Sequence, residues 1–352
     1  MALLAACKSQ PPPSPEVQVS TDLTPLTADV LFRAAHQRGS PLGQRIAGLG
    51  LGAAALAADG GAPTPEAGGD LRWDVEPYGA IAAARRDELL PMPASGVDVP
   101  DLWRDRGGTW VAIGGRARVL LVNVPARSTR PTPVRLWGLT EPWLKGKVAL
   151  AAPTGGAALA HFAALYTAWG EARMRAWLKA LRANEAQVLG ADADVRLAVV
   201  QGRAIIGLIG SDEAAKAAAI APVTVVYPDQ KTIGTFVWPT ALSRPKNAAH
   251  PDKAALLAEA LADRATEQLL VARETGFIPL RAGIPVPPGV RSAANLRVVS
   301  VEPHRIAADI EARRAELSNW AAGNPLPESP PPPPEPKDAA PPETTEATPA
   351  AP

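Results

Sequence analysis

The sequence predicts an α/β fold, with strands buried between helices, and three observations carry that expectation. The first is the stretch Gln201–Gln230. There the unbroken apolar run Ala204–Ile209 is followed by the polar turn Gly210-Ser211-Asp212-Glu213, an alanine-rich helix to Ile220 and a second strand, Val223–Tyr227. A short apolar run without alternation suits a strand covered on both faces. Ser or Asp caps a helix start, and acids in the first turn favour its dipole. The unit reads as strand, helix and strand in one right-handed crossover, whose ligands bind beyond the strand C-termini, here near Gly210–Asp212. The second observation is that strand and helix signals alternate along most of the chain. The third is bulk: 352 residues, 47% of them hydrophobic, supply core for two ordinary domains or one large one.

In chain order, Lys8–Pro15 is polar and proline-rich and reads as a tether. Val17–Ser20 is a candidate first strand, and a helix begins at Thr27 or Ala28 with Val30, Leu31 and Ala34 inward. Residues 43–69 are bland, rich in Gly and Ala; a short helix near Ala53–Ala58 is one option, but poor order is the expectation. Order resumes at Leu71–Asp74, with a helix from Gly79 to Leu89 and strands at Thr109–Ile113 and Ala117–Asn123. Leu136–Lys147 is an irregular feed into strand Val148–Ala151. Leu159, Phe162, Tyr166 and Trp169 then form one buried helical stripe. Beyond Gly170, Met174, Trp177, Leu178 and Leu181 form a second, with Arg175 pointing away. His161 falls off the first stripe and reads as an ordinary helix residue.

Thr235–Trp238 is a strand closed by Pro239. Pro251 sits in the first turn of a helix whose Leu256, Leu257, Ala260 and Leu261 face inward. Another helix runs from Asp263 or Thr266 to Gly276, and Phe277–Leu280 closes the body in extended form. A last amphipathic helix spans about Ile306–Trp320, and the remainder is Pro, Glu, Thr and Ala, a composition that cannot bury a core.

Composition excludes several functions. A net charge of +1, from 36 basic and 35 acidic residues, leaves no footprint for nucleic acid. Four scattered histidines (His36, His161, His250, His304) and one cysteine exclude a Cys/His zinc cluster within one chain. No apolar run reaches the roughly 18–20 residues that cross a bilayer. Nothing suggests an enzyme or a resident cofactor: no Ser/His/Asp order stands out, and Gly48–Gly52 lacks the strand–helix context of a dinucleotide loop. Leu4-Ala5-Ala6-Cys7 has the form of a bacterial lipoprotein signal, with Cys7 the acylated residue. A whole signal peptide needs roughly 15–30 residues, so its beginning is expected upstream of Met1. The competing reading is a free thiol in an unstructured start.

Several stretches together resemble the type-2 periplasmic substrate-binding proteins of ABC importers, in the branch associated with ferric iron. They are Trp110–Leu120, Leu136–Thr140, Trp143–Val148, His161–Gly170, Tyr227–Gln230 with Gly234-Thr235, and Gly276–Arg281, in that order. The resemblance implies two α/β lobes joined by hinge strands and closing on a ligand. Lobe one would be 16–118 and 235–320, lobe two 119–234, with a signal remnant and tether at 1–15 and a disordered proline-rich tail at 321–352. By analogy Val119–Asn123 is one crossing and Asp229–Thr235 the other. The implied partners are a permease, an ATPase, a small-molecule or metal-ion ligand and a membrane reached through the lipid anchor. No nucleic acid is implied, and the state is a monomer.

At the family's ligand positions the chain departs. Leu208-Ile209-Gly210-Ser211-Asp212-Glu213 lacks the first acid, and Pro153-Thr154-Gly155-Gly156-Ala157-Ala158 lacks the paired threonines of the glycine-rich turn. Trp73-Asp74-Val75-Glu76 keeps the glutamate. Tyrosinate-type ferric sites of the family use adjacent tyrosines, whereas Tyr78, Tyr166 and Tyr227 are far apart in sequence. The ligand-binding candidates are therefore Asp22, Glu76, Arg116, Thr154, Gly155, Asp194, Ser211 and Asp212, with Glu213 beside them. Glu76 and Asp212 suit a hard cation, and Arg116 suits a carboxylate or an accompanying anion. Arg116 also has a structural reading, as partner of a carboxylate in lobe one. Two functions remain: a solute-binding lipoprotein of an ABC importer, for ferric iron or a small anion, or a degenerate binding fold kept as a non-transport envelope lipoprotein.

Overall fold

The computed structural model describes residues 17, 19–21, 33–34, 39–48, 69–93, 98–272 and 276–327. Cys7, Asp22, the stretch Ala53–Ala58 and most of the helix expected from Thr27 lie outside the described residues.

The first half of the chain alternates β1 (Val19–Thr21), α1 (Pro41–Gly48), β2 (Leu71–Asp74), α2 (Tyr78–Arg85), β3 (Leu89–Leu90), β4 (Trp110–Val111), β5 (Gly115–Asn123) and a single turn α3 (Val124–Arg127). After two 3-10 turns come β6 (Val148–Ala151), α4 (Gly156–Trp169), α5 (Glu171–Ala183), β7 (Gln187–Leu189) and α6 (Asp192–Val200). Then follow β8 (Ile206–Gly210), α7 (Ser211–Ala218), β9 (Val223–Val226), β10 (Val237–Pro239), β11 (Ala241–Pro245), α8 (Pro251–Leu261), α9 (Arg264–Ala272) and α10 (Pro303–Ala321).

The strands form two sheets. One runs β1-β2-β11-β3 with β4 also on β11; the other runs β10-β5-β8-β6-β7 with β9 also on β5. This is the expected α/β architecture of two lobes joined by hinge strands. The chain passes between sheets twice, at residues 112–114 from β4 to β5, and at Thr240 from β10 to β11. The crossings are tied together: Thr240 Oγ1 donates to the Ile113 carbonyl at 2.9 Å, and Thr240 N to the Gly114 carbonyl at 3.1 Å. Both lie outside the stretches expected from the resemblance. Val119–Asn123 is wholly inside the second sheet, because its apolar residues are paired on both edges, by β8 and by β9. Pro239 ends β10 as expected, and the chain continues through Thr240 into β11.

Residues Leu120–Val122 pair with both β8 and β9, so those two strands flank β5 and are parallel to each other. The crossover unit of Gln201–Gln230 therefore exists, but it steps over a strand rather than joining neighbours. Sequence periodicity cannot register an intervening strand supplied from 80 residues upstream.

The two helical stripes pack as expected. Leu159, Phe162, Tyr166, Met174, Trp177, Leu178 and Leu181 are buried, and Trp169 is half-buried with its ring 5.4 Å from that of Trp177. Arg175, expected to point away, is instead buried between Glu171 and Glu316, with Nε 2.6 Å from Glu316 Oε1. The partner sits on α10, which packs along α4 and reaches α2, so it links both sides of the molecule. His161, off the stripe as read, is a residue of α4, 1% exposed, and stacks on Phe236 at 5.2 Å.

Elsewhere α1 occupies the start of a segment expected to be poorly ordered. Its Leu42 and Ile46 are buried, and Arg45 pairs with Asp263 at 2.7 Å. The helix expected over Gly79–Leu89 stops at Arg85, where Asp87 takes φ 57° and frees Leu89 and Leu90 to pair with β11. Leu256 is 38% exposed, not inward.

Candidate ligand cleft

Two turns face each other across the crossings. One, residues 75–77, follows β2 and opens α2; the other, residues 152–155, follows β6 and opens α4. The C-terminal edge of parallel strands is where helix starts converge and ligands bind. Thr154, Gly155 and Gly156 are exposed there, and α4 begins without a side-chain cap. Its first N–H groups therefore present a partial positive charge to the cleft. From the other side comes Glu76: a β-carbon on Gly156 would lie 3.4 Å from Glu76 Oε1. Gly156 takes φ 55°, a conformation that a side chain would strain. Tyr78 adjoins Glu76, and its phenol is held well above the ordinary tyrosine value by burial and then by the Glu76 charge. On the rim, exposed Arg314 donates to the Thr154 carbonyl at 3.3 Å. Glu76, Thr154 and Gly155, predicted from sequence, are thus brought together.

The other predicted residues are placed differently. Asp194 Oδ2 accepts from Ala191 N at 3.0 Å and so caps its own helix, α6. Ser211 is buried, accepting from Ala117 N at 3.1 Å and donating to the Gly276 carbonyl at 2.6 Å. Asp212 lies 3.4 Å from Arg116 Nε, and the Arg116 guanidinium sits 4.5 Å over the Phe277 ring. Glu213 pairs with Arg196 at 2.7 Å and with Lys216. Burial pushes the Glu213 carboxyl up, but its bonds to Lys216 and Arg196 more than offset this and hold it below the ordinary glutamate value.

A pair beside this group is absent from the residues predicted by sequence. Asp192 Oδ2 accepts from Arg118 Nη1 at 2.6 Å and from Gly210 N at 2.9 Å, and Arg118 is 1% exposed. The signal was present, since Asp192 opens α6 and Arg118 lies two residues beyond Arg116 in an apolar strand. Their meeting needed the fold. Among the described residues, no three His, Cys, Asp or Glu side chains converge as a metal-holding group. Tyr166 is bonded to Glu316 and Tyr227 accepts from Arg291 N, so neither joins Tyr78. A separate cavity of about 750 Å³ opens beyond α2, lined by Arg72, Gly79, Arg86 and Ser243 among others.

A family model described as bacterial extracellular solute-binding protein matches residues 86–302. The chain belongs to that family. Among curated relatives of this solute-binding protein, Iron uptake protein A1 of Synechocystis sp. is 27% identical over 210 residues, 55% of this chain and 56% of the relative. The match thus spans about half the length of that relative. The iron-bound structure of HitA from Pseudomonas aeruginosa superposes with a TM-score of 0.69 at 19% identity, covering 86% of this chain and 98% of HitA. AfuA from Actinobacillus pleuropneumoniae, with exogenous fructose-6-phosphate bound, gives 0.67 at 16% identity, covering 88% and 98%. At such identities these likenesses establish the type-2 periplasmic binding fold of this solute-binding protein.

Proposed function

We propose that this chain is the solute-capturing component of an ABC importer, working at the periplasmic or cell-envelope face as a monomer. It delivers a small solute to a permease and ATPase, and Cys7 carries its lipid anchor. The observation that carries the reading is the meeting of Glu76 with the uncapped start of α4 across the crossings. A carboxylate is a hard donor for a cation, and a helix start holds anionic oxygens. The two side by side suit ferric iron held with an anionic chelator, or a small anion alone. The iron named for two of the relatives agrees with the first, and the sugar phosphate bound to AfuA with the second.

Thermal unfolding of the chain with ferric citrate, phosphate esters, phosphonates, polyamines and small carboxylates tests this. A ligand at a hundredfold excess over its Kd should stabilise by about 2.7 kcal/mol. Glu76→Gln should abolish a shift that depends on the cation. Gly155→Asp should abolish one that depends on the anion: Gly155 is extended at φ −167° with nothing crowding it, so an aspartate there would cap α4 itself. When the chain is expressed behind a full signal sequence, Cys7→Ser should release it from membranes.

The envelope-lipoprotein reading is favoured by one observation, that Ser211 and Asp212 are engaged in internal contacts. No shift across the panel would turn the balance to it.

A further inference from the structure

Three residues expected to touch ligand, Arg116, Ser211 and Asp212, converge instead on the short segment that leads out of the region after α9. Gly276 stands there at φ 75°, and a β-carbon on it would lie 2.2 Å from Asp212 Cα and 2.6 Å from Asp212 N. No side chain fits such a gap, so the backbone of Gly276 and the first turn of α7 are in direct contact. Ser211 bonds both the Gly276 carbonyl and Ala117 N, while Arg116 bridges Asp212 and the Phe277 ring. One residue further, Ile278 exchanges two backbone bonds with Gly115, at 2.9 and 3.1 Å.

The two sides of this contact belong to different halves of the molecule. α7 packs on β5, β8 and β9 of the second sheet. The segment after Gly276 is anchored to α9 by the fully buried pair Arg281–Glu267, at 2.6 Å, and to Ala262 just after α8; α8 in turn packs on β11 of the first sheet. The contact lies within a few residues of the crossing at 112–114. Rotation of one lobe that drives α7 toward Gly276 is blocked, because the backbones already touch. Rotation away from it breaks the Ser211 bond to the Gly276 carbonyl and lifts the Phe277 ring off Arg116. The Ser211–Ala117 and Asp212–Arg116 contacts stay within the second lobe and hold the Ser211 hydroxyl and the Arg116 guanidinium toward the segment.

We propose that this contact is a one-sided stop and catch for the hinge, with Ser211 and Asp212 as positioning residues that set the lobe arrangement without touching solute. The catch holds the turns bearing Glu76 and Gly155 at the spacing seen here. Its loss should repopulate other arrangements, since ensembles shift by the differential free energy of the contacts that distinguish their states. One net hydrogen bond corresponds to a roughly fivefold change in the ratio of two arrangements.

The test needs no ligand, so it stands apart from the question of what is bound. In a Cys7→Ser background, spin labels at Glu259→Cys and Lys179→Cys, both exposed and on opposite sides of the crossings, report the distance between lobes. Ser211→Ala and Asp212→Asn should each change the mean or broaden the distribution. Ser211→Thr, which keeps the hydroxyl, should restore the parent distribution. Gly276→Ala should move it most, and if that variant does not fold, the serine and aspartate variants still decide. A distribution unchanged in Ser211→Ala and Asp212→Asn overturns the proposal. So does a loss of ligand-induced thermal shift in these variants while the ligand-free distances stay at the parent values, which would make the residues direct ligands.

Discussion

Both lobes bury an apolar core, but different side chains fix the geometry of each. Behind the second sheet, Phe162, Trp177 and Trp320 meet with ring centroids 5.5–6.0 Å apart around Phe162, among Met174, Leu178 and Leu181. That core is a continuous apolar mass whose stabilisation scales with area removed from water. On the side of the first sheet, a fully buried arginine and glutamate, Arg281 and Glu267, tie α9 to the closing segment, and Asp98 adds a second carboxylate at 2.7 Å from Arg281. A buried ion pair gives geometry more reliably than stability, because the cost of desolvating two charges consumes most of the Coulomb gain. The aromatic side should thus be stable and tolerant of small shifts, and the ionic side exact in geometry and intolerant of losing one partner.

The largest expected effect breaks the aromatic side. Trp177→Ala removes a fully buried indole that also donates to the Leu136 carbonyl at 3.0 Å, and should cost about 3–5 kcal/mol in denaturant unfolding. Next comes the ionic side. Glu267→Ala should cost about 3 kcal/mol by leaving the buried Arg281 with half-exposed Asp98 and the Ala262 carbonyl, whereas replacing Glu267 and Arg281 together by methionines should cost clearly less than the single change. If the double variant is the worse of the two, the pair is a source of stability and the contrast between lobes fails.

Arg175→Ala sharpens the comparison, since it probes an ion pair on the aromatic side. Arg175 is held by Glu316, whose carboxyl is pushed up by burial but lowered further by bonds from Arg175 and Tyr166. The loss should be about 1–3 kcal/mol, well above the roughly 0.5 kcal/mol of a surface change. A value at the surface level would mean that α10 is not latched to α4 and α5.

The smallest effect is read with pH. Burial, and then the charge of Arg118, hold His161 well below the ordinary histidine value, so it is neutral in the fold. Below a pH of about 6.5 the unfolded chain takes up a proton that the folded chain refuses, so stability falls by up to about 1.4 kcal/mol per pH unit. His161→Phe should flatten that slope. Glu316 acts at lower pH and in the same direction: its lowered pKa contributes stability that is present above the ordinary glutamate value and lost as pH falls through its folded value. A slope unchanged by His161→Phe would place the acid sensitivity elsewhere.

What the amino-acid sequence determines by itself follows from short-range physics. The strands Leu71–Asp74 and Val148–Ala151 and both helical stripes are written in local periodicity, and the tertiary structure only had to bury them. Glu76 and the Thr154–Gly155 turn were singled out only by the resemblance to the binding-protein family, and the fold then sets both where a strand ends and a helix opens. Three kinds of feature depended on the fold. β5 inserts between β8 and β9, a matter of long-range pairing. Arg175 and Glu316, or Arg118 and Asp192, become partners only when segments up to 141 residues apart are brought together. Ser211 and Asp212 carry residue types that suit a ligand and a cap equally well, and what decided their role was a glycine at position 276 that lets another backbone approach. Residue chemistry states what a side chain can bond, but only the packed chain determines which partner reaches it first.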